Sequence, residues 1–266
     1  MTDFVTVDDA DDPRLARFRL NERGLASRAD RRDDTGAGLF LAEGDLVVER
    51  ALAAGCRPAA ALADRDRIPP IAHDVAGTGA EVFVGGDEVR RLITKLGMPQ
   101  PIVALFHRPA RPTAAELMAR AQRLVVVEAV DNPVNIGSIV RNAAALGWDG
   151  LLLDHTSADP LSRRSLRVAM GTAFSLPHAR SNDLVAAIGE LATDEVELFG
   201  LTPDPAAADI RTVRPSGRRA LMIGAERSGL SAPALAAATP VRIPMAPGVD
   251  SLNAAAATAI ACYALG

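Results

Sequence analysis

The second half of the chain alternates between short, continuous apolar runs and segments whose apolar residues have helical spacing. Continuous runs of this length predict strands that are buried on both faces. The predicted strands are residues 123–129, 150–154, 195–201, 220–223 and 241–243. The predicted helices are residues 136–146, 162–170, 183–191, 232–238 and 251–265. This alternation predicts an α/β fold with a parallel sheet covered by helices on both faces.

The first half shows a less regular pattern. Its predicted strands are residues 39–42, 81–84 and 102–106. Its predicted helices are residues 44–54, ended by Gly55, and residues 87–95, capped by Asp87. Two prolines and two arginines between Arg108 and Thr113 indicate a linker. The sequence therefore predicts a smaller α/β domain over 1–107, a linker over 108–122 and a larger domain over 123–266.

Composition limits the class of protein more than its function. Hydrophobic residues form 48% of the chain and charged residues 23%, which is typical of a globular protein with a buried core. The net charge of −4 does not by itself indicate a nucleic-acid-binding protein. Of the 29 basic residues only Lys95 is a lysine. That preference fits either phosphate recognition by guanidinium groups or a GC-rich genome.

Several kinds of site are not expected from the sequence. Cys56 and Cys262 lie far apart and form no C-x-x-C pair, which disfavours a disulfide framework and a zinc site. The four histidines have no metal-ligand spacing. The acidic segment 1–12 lacks a long apolar run, and the apolar stretch 254–265 is too short to span a membrane. We therefore expect a cytoplasmic protein that binds neither a metal nor a membrane.

The common nucleotide and hydrolase motifs are absent from the sequence. The stretch from Gly36 to Leu41 begins like a dinucleotide-binding fingerprint, but Leu41 replaces the third glycine and no strand precedes it. Neither a P-loop nor a G-x-S-x-G elbow occurs.

The first of three informative stretches covers residues 131–142, which follow a predicted strand and open a helix. Asn135 lies at this helix N-terminus, where backbone N–H groups favour phosphate or ribose oxygens. Arg141 follows six residues later, about 600° further around an ideal helix. The two side chains therefore converge on one substrate only if Asn135 precedes the regular helix, and geometry alone assigns no role to Arg141. A capped helix with one surface arginine is the alternative.

Two further stretches follow predicted strands. In residues 221–231, Gly224 allows a ligand to approach the backbone, Glu226 follows, and Ser231 is placed to cap the next helix. In residues 243–253, a loop rich in proline leads to Ser251 and Asn253 at the start of an otherwise apolar helix. An ordinary strand-to-helix turn and simple capping by Ser251 are the alternatives.

Together the three stretches resemble, in order and spacing, the signatures of the SpoU (TrmH-type) RNA 2′-O-methyltransferases of the SPOUT superfamily. The resemblance covers roughly residues 123–266 and implies an α/β domain with a C-terminal trefoil knot. It also implies S-adenosylmethionine as cofactor. The implied cofactor contacts are Leu201, Thr202, Gly224, Ile243, Met245 and Leu252.

The resemblance also implies methyl transfer to a ribose 2′-hydroxyl and a homodimer. Asn135, Glu226, Ser251 and Asn253 are then expected to orient the ribose, the arginine at position 141 and the loop. The family's arginine, matched by Arg141, has been assigned as the base. Because a guanidinium stays protonated, we favour a phosphate clamp that stabilises developing charge. The small-residue helix 251–265 fits either a dimer interface or a buried core.

The first domain resembles, through residues 38–44 and the helix after them, the ribosomal-protein-like RNA-binding domain of many SpoU enzymes. This resemblance favours 23S rRNA as the substrate. The arginines between Arg14 and Arg32 are either phosphate contacts or a solvated face, and Arg163, Arg164 and Arg167 form a second candidate patch. Two alternatives stay open: a tRNA ribose 2′-O-methyltransferase, and a catalytically inactive RNA-binding factor in ribosome assembly.

Overall fold

A computed structural model describes residues 4–32, 36–95 and 98–266. The chain forms two compact units, made of residues 1–110 with 161–174 and of residues 111–160 with 175–266. The second unit therefore differs from the continuous domain predicted over 123–266. The first three residues of the predicted acidic segment lie outside the described residues. Within the described ranges, no helix is long and apolar enough to cross a membrane.

Strands and helices are numbered in chain order over the described residues. The strands are β1 (Val5–Thr6), β2 (Leu39–Glu43), β3 (Pro58–Asp64), β4 (Glu81–Gly85), β5 (Ile102–His107), β6 (Arg123–Val127), β7 (Gly150–Asp154), β8 (His178–Ser181), β9 (Glu197–Leu201), β10 (Ala208–Asp209), β11 (Arg219–Ile223) and β12 (Thr239–Arg242). The helices are α1 (Glu22–Leu25), α2 (Asp45–Ala53), α3 (Pro70–Gly77), α4 (Asp87–Thr94), α5 (Ala114–Arg120), α6 (Pro133–Ala145), α7 (Arg163–Ala169), α8 (Leu184–Thr193), α9 (Ala232–Ala236) and α10 (Ala254–Ala264). Short 3₁₀ helices are Pro13–Arg19, Thr172–Phe174 and Ile210–Thr212.

The first unit contains a mixed five-stranded sheet with the order β1-β4-β3-β5-β2. β1 and β3 run parallel to β4, whereas β5 is antiparallel to both β3 and β2. The 3₁₀ helix Pro13–Arg19 contributes Leu15 and Phe18 to the core on one face of this sheet. Phe18 contacts Phe83 of β4 edge to face.

Helix α7 belongs to the first unit although it follows β7 in sequence. Its Arg163 forms an ion pair with the buried carboxylate of Glu43 at the end of β2. The same guanidinium donates a hydrogen bond of 2.6 Å to the backbone carbonyl of Thr94. A second guanidinium, that of Arg167, lies 3.7 Å from the Glu43 carboxylate. Glu43 therefore has two arginine partners within the first unit. These contacts give two members of the second candidate patch a structural role.

The second unit contains a seven-stranded sheet with the order β10-β12-β9-β11-β6-β7-β8. Every neighbouring pair is parallel, which confirms the predicted parallel α/β architecture. Helix α10 is held against the α6 region by two side chains. Asn142 donates to the carbonyl of Ala255 at 2.9 Å, and the Trp148 indole donates to the carbonyl of Cys262 at 3.0 Å.

Some predicted elements differ from the structure. β3, α3 and β8 were not predicted, and the predicted linker contains α5. α5 begins at a capping box in which Thr113 and Glu116 exchange hydrogen bonds, a T-x-x-E signal that the neighbouring prolines obscured. The Asp87 cap is wrong, because Gly86 is the N-cap and Asp87 pairs with Arg90.

Candidate functional site

The site lies where parallel strands of the second unit end. Val127 of β6 pairs in register with Ile223 of β11, so the loops after these strands start side by side. β9 lies on the other side of β11, and β12 lies beyond β9. Ligands of open α/β sheets bind at the carboxyl ends of such strands.

A hydrogen-bonded cluster joins all three sequence stretches at this edge. The side-chain amide of Asn135 donates to Glu226 Oε1. The Asn253 amide donates to Glu226 Oε1 and to Asn135 Oδ1, both at 3.1 Å. The structure thus brings together Asn135, Glu226 and Asn253. A carboxylate that accepts from two amides is fixed more firmly than one that only water solvates.

Asn253 also caps the last helix. Its Oδ1 accepts hydrogen bonds from the N–H groups of Ala255 at 2.9 Å and Ala256 at 3.3 Å. α10 therefore begins at Ala254, and the capping considered for Ser251 falls to Asn253 instead. Ser251 is exposed and lines the cavity described below.

Arg141 lies apart from this cluster. α6 begins at Pro133 with Asn132 as its N-cap, so Asn135 is inside the first turn rather than before it. Asn135 is buried and Arg141 is exposed. Within the described part of the chain, Arg141 forms no hydrogen bond or salt bridge. Asn135 and Arg141 were expected to converge on one substrate only if Asn135 preceded the regular helix. Both residues lie within α6, so this condition is not met.

A cavity of about 460 Å³ opens beside the cluster. All six positions expected to contact a cofactor line it, and they are Leu201, Thr202, Gly224, Ile243, Met245 and Leu252. Glu226 and Ser251 line the same cavity. Its walls come from the loops that follow β9, β11 and β12 and from the start of α10. The residues are brought together because three neighbouring parallel strands end here.

Gly224 is required by the backbone of its own loop. A Cβ atom at this position would lie 2.0 Å from the carbonyl carbon of Gly229 and 2.2 Å from the Leu230 nitrogen. The loop closes on itself through a 2.9 Å hydrogen bond from the Gly229 N–H to the Ala225 carbonyl. We predicted that glycine at this position allows a ligand to approach the backbone. In the structure, the atoms that require glycine here belong to the backbone of Gly229 and Leu230.

Glu128 supports this loop and was not predicted as a site residue. Its Oε2 accepts a hydrogen bond of 2.8 Å from the N–H of Ser231, the N-cap of α9. Its own N–H donates to the Ile223 carbonyl at 2.9 Å. Glu128 therefore fixes both ends of the segment that carries Gly224 and Glu226. The position of an acidic residue directly after the buried strand β6 could have identified Glu128 from the sequence.

Asp154, at the end of β7, fixes the loop before α6. Its carboxylate accepts from the N–H groups of Ala129 and Ser157 at 3.0 Å and of Thr156 at 2.9 Å. Burial opposes ionisation, but hydrogen bonds from Ser157, Thr156 and Ala129 outweigh it and lower the pKa of Asp154. Ala129 is held at a φ of 56°, in the left-handed region that alanine seldom adopts. The network thus holds a strained backbone in place.

Comparison with known proteins places the chain in a family. The SpoU rRNA Methylase family model matches residues 122–263. An uncharacterized tRNA/rRNA methyltransferase of Mycobacterium bovis is 38% identical over 98% of this chain and 91% of its own length. The 23S rRNA (guanosine(2553)-2′-O)-methyltransferase of Bacillus subtilis is 32% identical over 88% of this chain and 91% of its own length. The AdoMet-bound rRNA methyltransferase structure from Sinorhizobium meliloti is similar with a TM-score of 0.82 at 26% identity, over 97% of this chain and 96% of that chain.

The fold and the site define a parallel α/β protein with a small-molecule cavity and a polar cluster at the strand ends. The chain belongs to the SpoU rRNA methylase family of RNA methyltransferases. The family predicted from the three sequence stretches is confirmed.

Proposed function

We propose that the chain transfers a methyl group from S-adenosylmethionine to a ribose 2′-hydroxyl of RNA, with 23S rRNA as the substrate. One observation carries the proposal. The cavity that contains all six expected cofactor positions is also lined by Glu226 and Ser251, and Glu226 is hydrogen-bonded to Asn135 and Asn253. Glu226 and Ser251 therefore line the expected cofactor site, and Asn135 and Asn253 are joined to it through Glu226.

The residues of the cavity fit S-adenosylmethionine. A volume of about 460 Å³ suits a ligand of this size. The apolar side chains of Leu201, Ile243 and Met245 suit the adenine, and Thr202 adds a hydroxyl near the strand end. When bound, the cofactor supplies an electrophilic methyl group on a sulfonium that leaves as a neutral thioether.

The chain's own residues prepare the other reactant. A ribose hydroxyl is a weak nucleophile and loses its proton to the solvent as the oxygen–carbon bond forms. Asn135, Glu226 and Asn253 orient the ribose through their fixed amide and carboxylate groups, and Ser251 adds a hydroxyl on the cavity wall. Arg141, which lies apart from this cluster, binds a phosphate of the RNA.

The first unit serves as the RNA-binding domain in this proposal, which supports rRNA over tRNA. The named activity of the Bacillus subtilis relative, 2′-O-methylation of 23S rRNA, supports the same choice. We expect the enzyme to act in the cytoplasm, where it meets this RNA.

A trefoil knot and a homodimer complete the proposal. The return of the chain from β12, beyond β9, to α10 beside α6 supports a knotted C-terminal segment. Two large side chains of α10, Ile260 and Tyr263, are exposed by 41% and 79%. They support contact of α10 with a second copy of the chain.

The test is transfer of radiolabelled methyl from S-adenosylmethionine to unmodified 23S rRNA and to bulk tRNA in parallel, followed by mapping of the modified ribose. Label in a single rRNA ribose is expected. Label in tRNA alone would keep the chemistry and overturn the substrate. Absence of label in both, with wild type and Arg141→Ala indistinguishable, would favour an RNA-binding assembly factor.

A further inference from the structure

The arginines of the first unit differ in their partners. Arg14 forms a salt bridge with Asp12, Arg19 with Asp11, and Arg65 with Asp8. Arg17 and Arg57 are exposed, and neither forms a salt bridge or side-chain hydrogen bond with any residue that the structure describes. Their charges are therefore available to a ligand, whereas those of the paired arginines are largely neutralised.

His107 lies at the end of β5, beside Arg57. Its backbone N–H donates to the Arg57 carbonyl at 2.9 Å, which places the two residues side by side. Val103 and Leu105 of β5 belong to the core that also contains Leu15 of the 3₁₀ helix Pro13–Arg19. Because residues two apart along a strand share a face, His107 is on the face of the sheet against which this helix packs, and Arg17 is an exposed residue of that helix.

Electrostatics support the same grouping. Burial lowers the pKa of His107, and the positive charges of Arg57 and then Arg17 lower it further. The lowered pKa favours the neutral form of the imidazole, near two guanidinium groups that form no salt bridge with the described residues. Such a group of donors suits an anion with several acceptor oxygens.

We propose that Arg17, Arg57 and His107 form a surface of the first unit that contacts the phosphate backbone of an RNA strand. Guanidinium groups match phosphate geometry, and a neutral imidazole supplies one further donor. The aromatic residues form 3% of the chain, and Phe40 and Phe106 of this unit are stacked on each other inside the core. The surface therefore recognises phosphates without stacking on bases.

This inference rests on the proposed function for the identity of the ligand as RNA. The test is filter binding of radiolabelled, unmodified 23S rRNA to the full-length protein over a range of salt concentrations. Arg17→Gln/Arg57→Gln is expected to weaken binding about tenfold and to reduce the salt slope by about 0.7 for each lost phosphate contact. Arg14→Gln/Arg65→Gln is the matched control, since it removes the same formal charge from paired arginines. It is expected to bind RNA nearly as wild type does.

A second readout follows the imidazole of His107 by NMR. RNA binding is expected to raise its pKa in wild type, because phosphate charge favours the protonated form. An unchanged pKa on RNA binding, or equal loss of affinity in the test and control variants, would overturn the proposed surface. Circular dichroism checks that each variant is folded.

The two proposals fail separately. If wild type transfers methyl groups but Arg17→Gln/Arg57→Gln binds RNA as tightly as wild type, the surface is wrong and the enzyme function stands. If wild type transfers none but the double variant still loses RNA affinity, the surface stands and the methyl transfer is wrong.

Discussion

The side-chain amide of Asn135 donates a hydrogen bond to the carboxylate of Glu226, although 91 residues separate them in sequence. Asn135 belongs to α6 and Glu226 to the loop after β11. Their contact exists because β6 and β11 are neighbours in the sheet, with Val127 beside Ile223. Substitution can exchange the donor and the acceptor of this hydrogen bond, so the contact can be tested.

Asn135→Asp should remove methyl transfer and destabilise the fold by about 1–3 kcal/mol, because two carboxylates then face each other and the Asn135 amide no longer donates to Glu226. Asn135→Asp/Glu226→Gln should recover much of the stability, since the new glutamine amide can donate to the new carboxylate. Urea unfolding of both single variants and the double variant measures the coupling. Strictly additive effects would mean that the two side chains do not interact.

Asn253→Ser should separate helix capping from the cluster. Serine caps helices about as well as asparagine, but it has no amide to donate to Glu226 and Asn135. Stability should therefore stay close to wild type, whereas methyl transfer should fall at least tenfold. Asn253→Ala should also lose about 1 kcal/mol of stability with the cap. If the serine variant transfers methyl groups normally, the Asn253 amide has no part in the reaction.

Gly224→Ala should abolish cofactor binding and cost about 1–3 kcal/mol, a typical penalty of overpacking. Its Cβ would meet the Gly229 backbone at 2.0 Å, so the loop that lines the cavity must move. Isothermal titration with S-adenosylmethionine measures the loss. Gly189→Ala is the control: this glycine lies in α8 with nothing within 4 Å of an added Cβ. It should gain up to about 1 kcal/mol and bind cofactor normally.

Asp154→Asn should remove a pH-dependent part of the stability. The folded pKa of Asp154 is lowered, so its ionised form contributes stability above the unfolded value of about 4. That contribution is lost as the pH falls through the lower, folded value. The unfolding free energies of wild type and variant should therefore differ at pH 7 and converge below about pH 4. A difference that stays constant between pH 7 and pH 3 would contradict the hydrogen-bonded carboxylate.

Arg141→Ala should abolish methyl transfer and leave cofactor binding largely intact, since Arg141 is exposed and does not line the cavity. Arg120→Ala, which removes an exposed arginine at the end of α5, is the control and should remain active. Radiolabel transfer and cofactor titration separate the two effects. Loss of cofactor binding in Arg141→Ala would assign this arginine a different role.

The sequence by itself determined the parallel architecture of the second unit, because β6, β7 and β11 are continuous apolar runs separated by helices. The resemblance of three stretches to the SpoU signatures also implied six cofactor positions, and all six line the cavity. β3 escaped prediction because its run Pro-Ala-Ala-Ala-Leu-Ala-Asp lacks the β-branched and aromatic residues that mark strands.

Only the tertiary structure decided the partners of those residues. The roles of Glu128 and Asp154 depend on which strands are neighbours, and hydrogen bonds between distant segments leave no periodicity in the sequence. The membership of α7 in the first unit, where Arg163 forms an ion pair with Glu43, likewise has no signal in the sequence. The separation of Arg141 from Asn135 followed from where α6 begins. A start of α6 one turn later would place Asn135 before the regular helix and would change its relation to Arg141. The start of α6 is set by the Asn132 cap and by the loop that Asp154 holds.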